Sequence, residues 1–422
     1  MSDKLTPACG CSEFEHAQER LSRRGFLGGV LALGGGVLLG TGTGFEYALA
    51  AEGSNPADVI INLNMRGGMD GLLAVPVLGS AALRAARPDL VLPDSSNLRL
   101  DSTFGLHPNL KGFKDLFDSK ELSIVHAVGV PTGSRSHFDE QLAIELAAYD
   151  NGATVSGWQS RLLKNTGSDQ VFEGVAMATS MPASLGGSSN AVAFQSLTDV
   201  KLNEVGIDRQ AQLNLLKKLH ADKNHVWSAT ADTSLAAAIQ LESVNEATAV
   251  LYPAGKLGER FKLLAAMIKS GLPIKTVNID FDGHLDVHVE AGAQTGTMAD
   301  NFTRLSGAIT AFKKDLGAYW QKVTIVTVTE FGRRVEQNAQ EGLDHGWASA
   351  MFVINGAGKA GSIHAKWPGV EENDLVDGDL KVTTDYRDVL AEVLTKRAGV
   401  SASAISNILP GFKPEALGIL SN

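Results

Sequence analysis

Five short runs along the chain are almost wholly apolar and rich in β-branched residues: DVIINLN (58–64), ELSIVHAVG (121–129), IKTVNID (274–280), KVTIVTV (322–328) and SAMFVIN (349–355). Hydrophobicity that is continuous rather than alternating is what strands buried on both faces require. Helical stretches separate the runs, so the pattern predicts an α/β fold, a mainly parallel sheet covered by helices. Between about 205 and 270 the texture changes to long helical patterns such as RQAQLNLLKKLH and TSLAAAIQLESVNEATAVL, with no strand-like run among them. This predicts a helical insertion in a single domain spanning 51–422.

The first fifty residues follow a different rule. Ser22-Arg23-Arg24-Gly25-Phe26-Leu27 precedes a glycine-diluted apolar run and then Ala48-Leu49-Ala50. The arrangement reads as a twin-arginine export signal cleaved after Ala50. The apolar run is short against the roughly 20 residues of a membrane span, so the mature chain is expected to keep no stable span. The expectation is a periplasmic or secreted protein whose first partner is the twin-arginine translocase. That route carries folded proteins, and loading a metal before export is one reason to fold first.

Charge narrows the partners. With four of the 37 basic and five of the 47 acidic residues in the leader, the mature chain carries a net charge of about −9, which argues against nucleic acid. Both cysteines, Cys9 and Cys11, lie in the leader, so the mature fold must hold through its core without a disulfide.

Polar chemistry gathers just past the apolar runs, where α/β sheets place their sites. In LNMRGGMDGL, Asp70 follows a glycine pair; it is either an acid in the binding crevice or the cap of the next helix. In VPTGSRSHFDEQ, Ser136 falls at the first turn of a helix, where the dipole favours an alkoxide, although Ser136 or Ser134 would serve equally as a cap. NIDFDGHLDVH packs Asp280, Asp282, His284, Asp286 and His288 into nine residues, a mixture of carboxylates and imidazoles that suits zinc or manganese rather than calcium. The loop EFGRRVEQNAQEGLDHGW (330–347) offers Asp344 and His345 side by side, and His364 follows nineteen residues on. Within that loop Arg333 and Arg334 trail Glu330 at helical spacing, either as a solvated salt-bridged turn or as an anion holder that Glu330 orients.

Taken in order, RGGMDGL (66–72), FGLHPNL (104–110), SRSHF (134–138), GWQSR (157–161), FDGH (281–284), EFGRR (330–334), LDHG (343–346) and TTDYRDVLAEVL (383–394) resemble a family of twin-arginine-exported bacterial proteins, domain of unknown function 1501, grouped with the alkaline phosphatase and sulfatase-like superfamily. The resemblance implies a three-layer α/β/α core and two divalent ions, zinc, manganese or similar. It places Asp70, either Asp280 or Asp282, His284, Asp344, His345 and His364 as ligands and Ser136 as nucleophile. Arg333 or Arg334 would offset the charge of a small anionic phosphate or sulfate ester. The alternative is a catalytically degenerate exported protein that keeps the fold and binds a partner. The chain departs from the family pattern at Leu73, Gly283, Val287 and Leu343, where polar neighbours of the acids are expected.

Overall fold

The apolar runs fold as strands and are joined by shorter ones: β1 (Val59–Asn64), β2 (Leu98–Arg99), β3 (Gly105–Leu106), β4 (Leu122–Gly129), β5 (Gly174–Ala176), β6 (Ala191–Ala193), β7 (Thr276–Asp280), β8 (Val323–Val328), β9 (Ser349–Asn355), β10 (Ile363–His364) and β11 (Thr384–Asp385). The computed structural model describes residues 58–421 apart from 132, 150–152, 168–169, 200–208 and 220–227. The segment read above as an export signal, with Arg23, Arg24, Cys9 and Cys11, lies outside the described residues.

Nine strands form one mixed, mostly parallel sheet in the order β10-β4-β9-β8-β1-β7-β5-β6, with β11 also on β4; β2 and β3 make a separate ribbon. Only β9 runs against its neighbours, antiparallel to both β4 and β8. The outer edge of β4 is shared, with β10 on Ile124 and Val125 and β11 on Val128 and Gly129. Between those two pairings the register shifts at Ala127, which sits at φ 54°.

Alternate residues of the central strands feed opposite faces. Val59, Ile61, Leu63, Val323 and Ile325 join one core with the helices Lys111–Asp118, Lys256–Lys269 and Thr297–Leu316, where Phe261 and Phe312 stack at 4.6 Å. Ile60, Val326, Val328, Met351 and Val353 join the other, beneath the helices His137–Leu146, Trp158–Thr166, Tyr386–Lys396 and Ala402–Ile408. Within 205–270 the described helices are Arg209–Leu219, Ser228–Gln240 and Lys256–Lys269, and the last of these is a core helix. None of the described helices is long and apolar enough to cross a membrane.

The carboxyl ends of β1, β4, β7 and β8 therefore share one rim, and β9, being reversed, begins there. A polar seam on the second face leads up to it. Asn278 donates to Gln159 and Ser184, while Asn64 donates to Asn278 and to Asp280.

Candidate metal centre

Three segments supply the rim's chemistry. After β4, Ser136 caps the helix His137–Leu146 by accepting from the Asp139 amide (3.4 Å), and the helix's first residue, His137, turns inward and is buried. After β7 the chain runs irregularly through Asp286, fully buried, and His288. After β8 the loop to β9 folds back on itself through a bridge between Arg333 and His345. Close backbone approach there needs Gly346, whose added Cβ would lie 2.3 Å from the Arg333 carbonyl carbon.

These segments bring His137, Asp286 and His345 together. Asp286 Oδ1 lies 3.1 Å from His288 Nε2, 3.1 Å from His345 Nε2 and 3.6 Å from His137 Nε2. His345 Nε2 lies 3.2 Å from His137 Nε2 and 3.3 Å from His288 Nε2. Every one of the three rings is held through its other nitrogen. His137 Nδ1 meets Glu330 Oε1 (2.7 Å), His288 Nδ1 meets Asp344 Oδ1 (3.0 Å), and His345 Nδ1 meets the Arg135 carbonyl (3.1 Å). Oxygen partners of this kind fix ring orientation in metal sites.

The electrostatics follow from crowding. Burial works against charge on His137, but the Asp286 and Glu330 carboxylates raise it to about 9. Burial alone would raise Glu330; its hydrogen bonds with His137 and Gln141 bring it down to about 2. Asp286, also opposed by burial, is driven far below the usual carboxylate range by the three imidazoles and Arg333. His288 is raised, chiefly by its bond to Asp286. A buried carboxylate facing three imidazoles is a standing demand for positive charge.

Arg333 is sealed inside the loop. It donates to the carbonyls of Gly68 (2.8 Å), Leu343 (2.8 Å), Leu285 (3.1 Å) and Gly67, and to Asp286 Oδ1 (2.7 Å). Gly67 and Gly68, at φ 104° and 70°, turn their carbonyls to it. Arg334 points elsewhere, to the Asp377 carbonyl (2.7 Å). Glu330 accepts from the Gly67 amide (2.7 Å) and Gln141 (2.8 Å) as well as facing His137.

Of the ligands anticipated from sequence, His345 is in the converging group and Asp344 stands one step behind it, on His288. Asp70 is away from it, buried in an ion pair with Arg87 and capping the Leu72 amide (3.2 Å). Asp280 faces Arg66 Nε (2.9 Å) and Asn64 (2.8 Å). Asp282 caps the helix Lys256–Lys269 through the Lys256 and Leu257 amides (3.0 and 3.1 Å) and pairs with Arg304 (2.5 Å). The His284 carbonyl accepts from Asn301 (2.6 Å), and His364 sits in β10 at the far edge of the sheet, where burial lowers its basicity. Asp286 and His288 belong to the cluster 280–288 singled out in the sequence but not to the ligand set that the resemblance implies, and His137 is the residue of the group that the sequence reading did not name. The departures at Leu73, Val287 and Leu343 are core residues here, all buried, and a Cβ on Gly283 would strike Phe281 and Asn301.

Among solved structures, the chain is similar to the zinc complex of the C-terminal periplasmic domain of EcEptC from Escherichia coli, at 9% identity over 86% of this chain and 89% of that one with a TM-score of 0.42. It is similar also to the PsFucS1 sulfatase from Pseudoalteromonas sp. (13%, 73% and 64%, TM-score 0.34) and to the lipoteichoic acid synthase LtaP from Listeria monocytogenes (8%, 78% and 75%, TM-score 0.30). At these scores the likenesses are of broad outline and assign this chain neither ligand nor reaction. No curated protein gives a sequence match. Residues 128–409, well over half the sequence, match the family model described as protein of unknown function (DUF1501), and the chain belongs to that family.

Proposed function

We propose that the chain is an exported metal-dependent hydrolase of small phosphate or sulfate esters, with His137, Asp286 and His345 holding a divalent ion. The observation that supports this is the convergence of these side chains at the carboxyl rim of a mostly parallel sheet, where such folds bind ligands. When bound, the ion would supply a Lewis acid facing an anionic ester. Ser136, the N-cap next in sequence to His137, is assigned as nucleophile because the helix dipole favours its alkoxide. Its oxygen would bond to phosphorus or sulfur as the ester oxygen departs with the serine proton, and water would then release the anion and restore the serine. Glu330 orients His137. Arg333, whose donors are spent on carbonyls and Asp286, serves as a positioning residue.

A second reading, a metal-holding protein without turnover, is favoured by one observation. Asp286 Oδ1 is crowded by His288 and His345 Nε2 (3.1 Å each), His137 Nε2 (3.6 Å) and Arg333 (2.7 Å), and sites filled by protein groups are the closed kind that keep no position for substrate.

The test uses mature protein purified without chelator or affinity metal, with ions per chain and turnover of phosphate and sulfate esters measured together. Ser136→Ala should abolish turnover while metal content and melting stay unchanged; retained turnover removes Ser136 from the reaction. An ion without turnover of any ester gives the second reading. Export is tested separately: Arg23-Arg24 to Lys-Lys should trap precursor in the cytoplasm, and continued export would overturn the twin-arginine assignment.

A further inference from the structure

We propose that Arg135 reads the anionic head of the substrate, its guanidinium holding terminal oxygens of a phosphate or sulfate group beside Ser136 while Asp379 keeps it in place. This rests on the hydrolase reading above and deepens it, giving Arg135 the anion-holding part that the sequence resemblance gives Arg333 or Arg334.

The backbone of Arg135 belongs to the centre. Its carbonyl faces His345 Nδ1 (3.1 Å), and Ser136 is the next residue. The turn is pinned on either side, with the Ser134 amide donating to Glu140 Oε1 (3.0 Å) and the Ser136 amide to Ser134 Oγ (3.1 Å). The guanidinium is tied to the loop that carries His345. Its Nε and Nη2 both donate to Oδ2 of buried Asp379 (3.0 and 2.5 Å). The Asp379 backbone in turn bridges to Arg334, whose amide donates to the Asp344 carbonyl (3.0 Å). Arg135 is thus anchored at both ends to one loop.

What is left over on the guanidinium suits an anion. Asp379 takes the edge formed by Nε and Nη2, and among the described residues nothing bonds Nη1. The end of the fork, Nη1 with the second hydrogen of Nη2, remains for two oxygens of another anion. The Arg135 side chain is 40% exposed against 4% for Asp379, so a solute can reach the guanidinium and not its anchor. Asp379 Oδ1 is buried without a partner, and burial holds this carboxyl above its usual range against the pull of Arg135 and Arg334. The anchor therefore neutralises the guanidinium incompletely. Other arginines of the rim are committed. Arg66 is spent on Asp280, Gln141 and Glu145, and Arg87 on Asp70 and two carbonyls. Arg333 is sealed, and Arg334 turns to the Asp377 carbonyl.

The test is calorimetric titration of the mature protein, purified without chelator, with inorganic phosphate, beside ions per chain and the KM for a chromogenic phosphate ester. Arg135→Gln should weaken phosphate binding about 10–100-fold, the worth of a hydrogen bond to a charged group, and raise KM by the same factor. Ions per chain should not change, because the carbonyl that holds His345 is backbone. Arg135→Lys should fall between, keeping the charge and losing the fork. Since Arg135→Gln strands a buried carboxylate, the double variant with Asp379→Asn separates a lost donor from an uncovered negative charge. It should bind phosphate as weakly as the single variant; affinity restored to the wild-type value would overturn the proposal. So would a wild type that binds no phosphate, or Arg135→Gln with unchanged affinity or a lost ion. Phosphate binding that depends on Arg135 in a protein that hydrolyses no ester sinks the hydrolase reading and leaves this one standing. Ester turnover with phosphate affinity indifferent to Arg135 does the reverse.

Discussion

Replacing Arg333 by methionine keeps an unbranched stem as far as the position of Nε and removes everything the side chain donates. Both Arg333 and its partner Asp286 are wholly inaccessible, so the substitution leaves a buried carboxylate with one fewer cation and four loop carbonyls without their donor. Breaking a buried pair from one side costs about 3–5 kcal/mol. Each stranded carbonyl adds up to about 1–3 kcal/mol before the loops relax. Because these terms are not additive, the working expectation is a loss of at least about 4 kcal/mol, a large share of the roughly 5–15 kcal/mol typical of a folded domain. The assay is urea unfolding followed by tryptophan fluorescence with chelator present, so that ion binding does not add its own stabilisation. Arg333→Lys should fall between wild type and methionine, since an ammonium keeps the charge and loses the planar fork. In the double variant with Asp286→Asn, a coupling energy above about 1 kcal/mol is expected, because the two residues share one network. A loss below about 1 kcal/mol in Arg333→Met would refute the claim that this guanidinium holds the rim together.

Two further outcomes follow from buried carboxylates. Asp70→Asn should leave the ion content unchanged while costing about 3–5 kcal/mol through the uncompensated Arg87, measured by elemental analysis beside a melting curve; a folded variant that has lost its ion would put Asp70 back among the ligands. Asp388, raised to about 6 by burial, binds more protons folded than unfolded between pH 4 and 6, so stability should fall as pH rises through that window and level off above it. Asp388→Asn retains an acceptor for the Glu415 amide and should flatten that slope; an unchanged slope would rule out Asp388 as its source.

The central strands were legible because burial on both faces leaves a mark that survives without knowledge of neighbours. DVIINLN, KVTIVTV and SAMFVIN reappear as β1, β8 and β9 within a residue of their expected ends. Strands of two or three residues, such as β10 and β11, are too short to carry a period, and the reversal of β9 leaves no trace in its composition. The site was legible as a neighbourhood rather than as a set of ligands. Asp282 looked like a ligand beside His284, yet it caps a helix that begins 26 residues earlier, a long-range use that spacing does not announce. His137 was overshadowed by the serine before it. A usable signal did exist at the other end of the acidic segment: Asp286-x-His288 are the two residues there whose side chains meet.

The reversal of β9 has a consequence for how this protein can change. Parallel neighbours must be linked by a crossover of a dozen or more residues, usually a helix spanning the sheet, which fixes where the chain returns. Antiparallel neighbours need no such return journey, so the segment between β8 and β9 leaves and re-enters the sheet at the same rim. Its length is therefore uncoupled from the topology, and each doubling would cost only about 0.6 kcal/mol in closure entropy. Descendants of this sequence could lengthen, shorten or rewrite the exposed tip at 339–341, provided that Arg333 and His345 still meet and Asn338 keeps its bonds to Asp344 and the His288 carbonyl, without moving a single strand.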